Sequence, residues 1–387
     1  MDGSRRWPVI SALGIVQILS WGSSFYLLGV LATPIAADTG WPLTWIVGGL
    51  SAGLLVAGLV SPTVGRTIAR HGGRPVLASA AVAMATGLVV LALAPNLTVF
   101  LLAWLFLGLG MGMGLYDPAF ATLGRLYGAQ ARPAIATLTL WGGFASTVSW
   151  PLSALLVEAI GWRGTCLAYA GLQLAVSLPL VLWTIPPPAT PAPGPDVRQK
   201  PVPVLAERER RAFVVMAGIL VLGGTVMTMV SVHLLTLLQA RAVPLASAVA
   251  FGALIGPAQV GARLMEMAGR GRHHPLWTLT AAMSLVAVGI ALLAVEVPFV
   301  GLALVLYGAG NGIYSIARGT VPLVLFGPER YAPLIGLLAR PGLMAQAAAP
   351  LVGAFVLTHG GAEGVFVLLT TLAVANVALV GLLWRCR

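Results

Sequence analysis

Apolar residues fill this chain in long runs without alternation, and polar residues fall mainly in the gaps between them. Twelve runs can be marked, near 8–36, 43–64, 75–94, 97–121, 133–157, 163–185, 212–238, 245–268, 275–295, 298–325, 332–358 and 364–384. Each approaches or exceeds the roughly 20 residues a helix needs to cross about 30 Å of hydrocarbon. The period-two pattern of a membrane β-barrel is missing, and a chain in lipid must satisfy its own backbone polar groups, which leaves helices. The expected fold class is an all-α polytopic membrane protein with twelve transmembrane helices. Connections such as Ala94-Pro95-Asn96 and Glu296-Val297-Pro298 hold no more than a turn.

The pattern breaks once, at 186–211, where eight prolines and a basic end replace the apolar residues. Such a segment cannot bury a helix face and reads as a semi-rigid extended linker. The expected organisation is an N-terminal six-helix bundle over 1–185, a cytoplasmic linker over 186–211 and a C-terminal six-helix bundle over 212–387. The two parts echo each other. GLYDPAFATLGRLYG from Gly114 answers GIYSIARGTVPLVLFG from Gly312 at a shift near 198, and Pro151 in the fifth run answers Pro350 in the eleventh. Weak similarity between halves marks a transporter built from parallel repeats, so the two bundles are expected to be pseudo-symmetric and to rock about a midplane site.

Composition and charge narrow this further. Hydrophobic residues make up 58% and charged residues 9% of the chain, against about a quarter charged in soluble domains. The net charge of +11 is distributed over alternate loops, with Arg66, Arg70 and Arg74 in one, Arg125 and Arg132 in the next, and Arg270, Arg272 and Arg330 in later ones. The intervening loops hold only Arg163 and Arg241. This positive-inside bias predicts a multi-pass protein of the inner (plasma) membrane with both termini cytoplasmic. Arginines spread beside anionic headgroups account for the charge without any nucleic acid. Arg5 and Arg6 precede an apolar run as in a signal peptide, but the run continues to about Ala37 with no clear cleavage site, and a retained first helix is expected. Cys166 and Cys386 suggest no disulfide framework, His273-His274 has no partner at metal spacing, and no GxxxxGK[ST] loop is present to hold ATP. No metal, no cofactor and no enzyme activity are expected, and energy would come from a gradient.

The segment GRTIARHGGRP from Gly65, between the second and third runs, resembles the Gly-x-x-x-Asp-Arg-x-Gly-Arg-Arg gating signature of the major facilitator superfamily of secondary transporters, and the resemblance spans essentially the whole chain. Gly65, Arg70, Gly72 and Arg74 match, whereas Ala69 stands at the aspartate and Gly73 at an arginine. The resemblance implies an inner gate locked by that aspartate, so Ala69 implies a weaker lock or one built elsewhere; alternatively these arginines serve only topology. Gly108, Gly110, Gly112 and Gly114 resemble the glycine row of proton-linked members, with Trp104 at the usual arginine, though such a row also permits close helix packing. Gly161-Trp162-Arg163 and the pair Gln259 and Arg263 look like bacterial relatives of the monocarboxylate and oxalate porters. In that branch an aspartate four residues before the arginine helps to bind protons and carboxylate; here that position is Gln259. The implied function is secondary active transport of a small solute, anionic and proton-linked by the resemblance, through rocker-switch alternating access. An exporter of neutral or lipophilic toxic compounds and a non-transporting membrane sensor remain alternatives. The implied partners are a small-molecule solute, protons and the lipid bilayer; the oligomeric state is left open, and a monomer is compatible.

An ionisable group at the centre of a membrane helix costs about 2.5–3.5 kcal/mol by insertion scales, so each survivor is a candidate for a pathway or an interhelical pair. Asp117, ahead of Pro118, is read either as a proton carrier or as a gate partner of Arg125 or of a second-half arginine such as Arg318. Arg340 sits about 12 Å into the eleventh run at about 1.5 Å per residue, placed either to clamp an oxyanion or to snorkel to the interface. Arg263 is three residues from Glu266, a spacing that permits a pair on one helix face. The coupling or gating candidates are therefore Asp117, Arg318, Arg263, Gly65, Arg70, Gly72 and Arg74. The substrate-binding candidates are Arg340, Gln17, Trp21, Ser24, Tyr26, Gln259, Asn311 and Tyr314. Those in the first run would hydrate and orient a polar solute, or serve packing and bond back to their own helix.

Overall fold

The computed structural model describes residues 6–187, 205–269, 272–295 and 298–386. The proline-rich segment predicted as a linker lies largely outside the described residues. Among the described residues, nine helical runs are long and apolar enough to cross a membrane, and two of them are too long to cross once. Leu97–Thr184 has 88 residues, about 130 Å at about 1.5 Å per residue. It folds back at Gly128 and Gly161, and the 58-residue run Pro328–Arg385 folds back at Gly361. At these three glycines φ is 56°, 71° and 64°, in the left-handed region that a Cβ disfavours. The resulting crossings are α1 (Arg6–Thr39), α2 (Leu43–His71), α3 (Gly73–Ala92), α4 (97–127), α5 (131–160), α6 (162–184), α7 (Glu207–Ala240), α8 (Leu245–Ala268), α9 (Pro275–Ala294), α10 (Val300–Phe326), α11 (328–360) and α12 (362–385). The all-helical polytopic fold is as the hydropathy pattern predicts.

One boundary differs from the sequence reading. The segment read as a loop after the second run is helical to His71, and the turn is made by Gly72 at φ 79°. Arg70 and His71 occupy the last turn, where cations favour the helix dipole, so the charged end extends the helix instead of ending it.

The glycine row in α4 is a packing device, and it is repeated in α10. Gly108 and Gly112 lie against the α2 backbone at Gly53 and Ala57, and Gly110 against α3 at Met84. Two hundred positions on, Gly308 and Gly312 lie against α8 at Ile255 and Gln259, and Gly310 against α9 at Ala282 and Val286. A Cβ on Gly308 would sit 2.8 Å from the Ile255 carbonyl oxygen, so only glycine lets these helices approach so closely.

The two halves meet on the side that carries the basic loops. Ser61 in α2 donates to Gly336 O in α11 at 3.0 Å, and a Cβ on Gly65 would lie 2.5 Å from Ala332 O. Tyr331 packs against Gly124 and donates to Gly319 O at 2.6 Å. At the opposite end, Arg163 pairs with Asp38 and Arg241 with Glu363, each within one half. The conformation is therefore closed at the basic face.

Candidate functional site

Two helix breaks position the centre of the molecule. Pro118 has no amide to give to Gly114 O, and α4 is interrupted at Leu115, whose ψ is −160°. The freed carbonyl of Gly114 accepts from Gln17 Nε2 at 2.7 Å, tying α4 to α1. Asp117 falls in the first turn of the new helix Tyr116–Tyr127, where the helix dipole favours a carboxylate. α1 is broken over 23–26, and this places Trp21, Phe25 and Tyr26 in edge and tilted contact at 5.3–5.9 Å.

Between the halves these elements line a cavity. Trp21, Ser61, Tyr116 and Asp117 line it from the first half, and Tyr314, Arg318, Gly342 and Gln346 from the second. Arg318 Nη2 lies 2.7 Å from both oxygens of Asp117, joining the halves across the cavity. Of the partners the sequence left open for Asp117, Arg318 is the one it meets. Arg125 instead donates to the backbone carbonyl of Ala69, the position at which the family signature has aspartate.

Arg263 is 4% exposed. Its Nε donates to Gly312 O at 3.2 Å and Ser315 Oγ at 3.1 Å, and its Nη2 to Gln259 Oε1 at 3.3 Å. Nη1 is buried, has no hydrogen-bond partner among the described residues, and points across to α5 at Gly143. The same-helix pair with Glu266 does not form; Glu266 accepts from Thr278 at 2.7 Å and faces Arg132 of the first half at 3.9 Å.

The remaining candidates divide by location. Gln17 is consumed by Gly114 and by Trp21 Nε1 at 3.2 Å, and Ser24 bonds back to Ser20 O at 2.5 Å. Tyr26 stacks edge-on against Trp150, outside the cavity lining. Asn311 faces a second, smaller cavity that shares Tyr314 with the first. Arg340 is exposed and does not line the cavity; its neighbours Ala339, Gly342 and Leu343 do. Gly65 sits at the contact between halves, Arg70 is exposed, and Gly72 and Arg74 are half-buried near the basic face. Sequence reasoning passed over Tyr116, Ser61, Gln346 and Asn376. For Asn376, the signal was a solitary amide in the apolar twelfth run.

A family model described as Major Facilitator Superfamily matches residues 13–339. The chain belongs to the Major Facilitator Superfamily. Among curated facilitators it is similar to monocarboxylate transporter 3 of Rattus norvegicus, 26% identical over 91% of this chain and 73% of that protein. It is also similar to monocarboxylate transporter 11 of Mus musculus, 29% identical with the same coverage. Among solved structures, the human organic anion transporter MFSD10 superposes with a TM-score of 0.76 at 20% identity, covering 98% of this chain and 100% of that one. This facilitator is thus a multi-pass membrane protein of a transporter family and not an enzyme.

Proposed function

We propose that this facilitator carries a small organic anion of the carboxylate class across the cytoplasmic membrane, coupled to protons, with its basic face toward the cytoplasm. The supporting observation is an unbalanced charge. Arg318 is neutralised by Asp117, whereas Arg263, buried beside Gln259, has no carboxylate within 4 Å among the described residues. A buried guanidinium without a counter-charge is costly, and its Nη1 is unpartnered; Arg263 lines none of the cavities described here, so a solute oxyanion would reach it once the halves part at Gly143. The monocarboxylate and organic-anion transporters to which the chain is similar agree with this class. Coupling follows from Asp117, the carboxylate that a solute anion would displace from Arg318. The two halves then rock to open the basic face.

Uptake by reconstituted proteoliposomes tests the reading. Carboxylates of two to six carbons are expected to exchange across the membrane, with affinity falling at least about tenfold in Arg263→Gln. Asp117→Asn should lose uptake driven by a pH gradient while keeping exchange. Transport of lipophilic neutral compounds that carboxylates do not compete for would refute the reading in favour of an exporter.

A further inference from the structure

The second cavity lies inside the C-terminal half and shares Met227 and Tyr314 with the central one. Its wall includes Asn376, which is 2% exposed. Asn376 Nδ2 donates to Ile219 O at 3.3 Å and lies 3.1 Å from Met283 Sδ, both acceptors, so the network fixes which end of the amide is nitrogen. Asn376 Oδ1 is then a buried acceptor without a donor among the described residues. Asn311 and Tyr307 add further polar groups to the same wall. On α7, Gly223 makes room: a Cβ there would come within 3.0 Å of the Tyr314 hydroxyl and 3.3 Å of Asn376 Nδ2. In the first half Gln173 makes the parallel contact with Met84 and also leaves its Oε1 unpartnered, but it donates to Ser23 at 2.9 Å and lines none of the cavities described here.

We infer that this side cavity is a solute subsite, which receives a hydroxyl carried at the far end of the carboxylate solute. The inference rests on the anion reading above and narrows it to ω-hydroxy carboxylates. An unmet buried acceptor calls for a donor. An ammonium would supply one too, but among the described residues no carboxylate lines the side cavity to offset its charge, which favours a neutral hydroxyl. Position along the solute follows from the walls. Arg318 lines the central cavity and not the side cavity, and the two spaces meet at Tyr314 and Met227. A hydroxyl next to the carboxylate stays in the central cavity, whereas one at the other end of a short chain passes Tyr314 to reach Asn376.

Thermal-shift and uptake-competition measurements on the purified full chain with hexanoate, 2-hydroxyhexanoate and 6-hydroxyhexanoate test this. In the wild type, 6-hydroxyhexanoate should bind at least about fivefold more tightly than the other two, the span of one net hydrogen bond to a buried acceptor. Asn376→Leu should remove that preference and leave hexanoate affinity within about twofold. Equal binding of all three acids, or an equal loss for all three in Asn376→Leu, overturns the subsite and leaves the anion reading standing. Binding of none of them overturns both. If Asn376→Leu does not fold, Gly223→Ala, which crowds the same space, should show the same selective loss, and an unchanged preference in it refutes the inference.

Discussion

Replacing Asp117 by Asn should open the basic face. Arg318 Nη2 touches both carboxylate oxygens at 2.7 Å, and the two side chains are only 17% and 14% exposed. Charge centres about 4 Å apart attract by about 4 kcal/mol at an effective dielectric of about 20. The pair is not a two-nitrogen fork: only one guanidinium nitrogen is engaged, and Arg318 Nε is buried without a partner. Its net contribution is correspondingly below the Coulomb figure. Removing one member of a buried pair, however, strands the other charge at a cost of about 3–5 kcal/mol. In Asp117→Asn that cost is borne only while the face is closed, because separating the halves lets water reach Arg318. Releasing even about 1.4 kcal/mol of it raises the open population about tenfold relative to the closed one. Spin labels at the exposed residues Ala129 and Glu329, one on each half at the basic face, report this as a longer component in the pulsed EPR distance distribution. The exchanged double variant, Asp117→Arg with Arg318→Asp, should return the distribution toward wild type. An unchanged distribution in Asp117→Asn, or a double variant as open as the single, would refute the pair as a lock.

Three further outcomes follow from the packing. Gly65→Val places a side chain where Ala332 O and Gly336 approach within 2.5–3.3 Å, so it should hold α2 and α11 apart and give the same EPR shift without altering Asp117; unshifted distances contradict that. Gln17→Leu leaves Gly114 O buried without its donor, a cost of about 1–3 kcal/mol that should lower the melting temperature in detergent. Adding Pro118→Ala restores an amide at that position and should recover part of the loss, and no recovery would break the link between the proline and Gln17. Arg132→Ala removes a 3.9 Å pair whose side chains are 20% and 25% exposed, worth under about 1 kcal/mol, so the same EPR distances should change far less than in Asp117→Asn.

The helices were legible because lipid leaves a chain little choice: an apolar run of about 20 residues must be helical. The same constraint hides azimuth. Counting residues gives the depth of Arg340 but not its direction, and one step of about 100° separates it from Ala339 on the cavity wall. Spacing along one helix also misled for Arg263 and Glu266, because neighbouring helices offered Glu266 better partners in Thr278 and Arg132. The break in α4 was foreshadowed by Pro118, but the acceptor it frees finds its donor 97 residues away at Gln17, and nothing local signals that. The side cavity joins Asn376, Met283 and Gly223 from three helices, and of these Asn376 alone, a solitary amide in an apolar run, carried a signal in the sequence.

What the repeat leaves unmatched says more about function than what it copies. The glycine contacts of α4 and α10 are duplicated, as are Tyr116 and Tyr314 on the cavity wall. At the shift of 198 that relates the two tyrosines, two short of the 200 that relates the glycines, Asp117 corresponds to Ser315 and Arg318 to Phe120. Packing alone would give both halves the same residues, since both pack in the same way. The acid sits on one repeat and the base on the other, one helical turn apart in repeat position, so closing the halves on the basic side brings them face to face. Ser315, the counterpart of Asp117, holds Arg263 instead. Each half therefore turns the same helix position to a guanidinium, but only one supplies a negative charge. That asymmetry leaves Arg263, buried where the halves meet at Gly143, without a carboxylate among the described residues, and a solute anion would complete the balance.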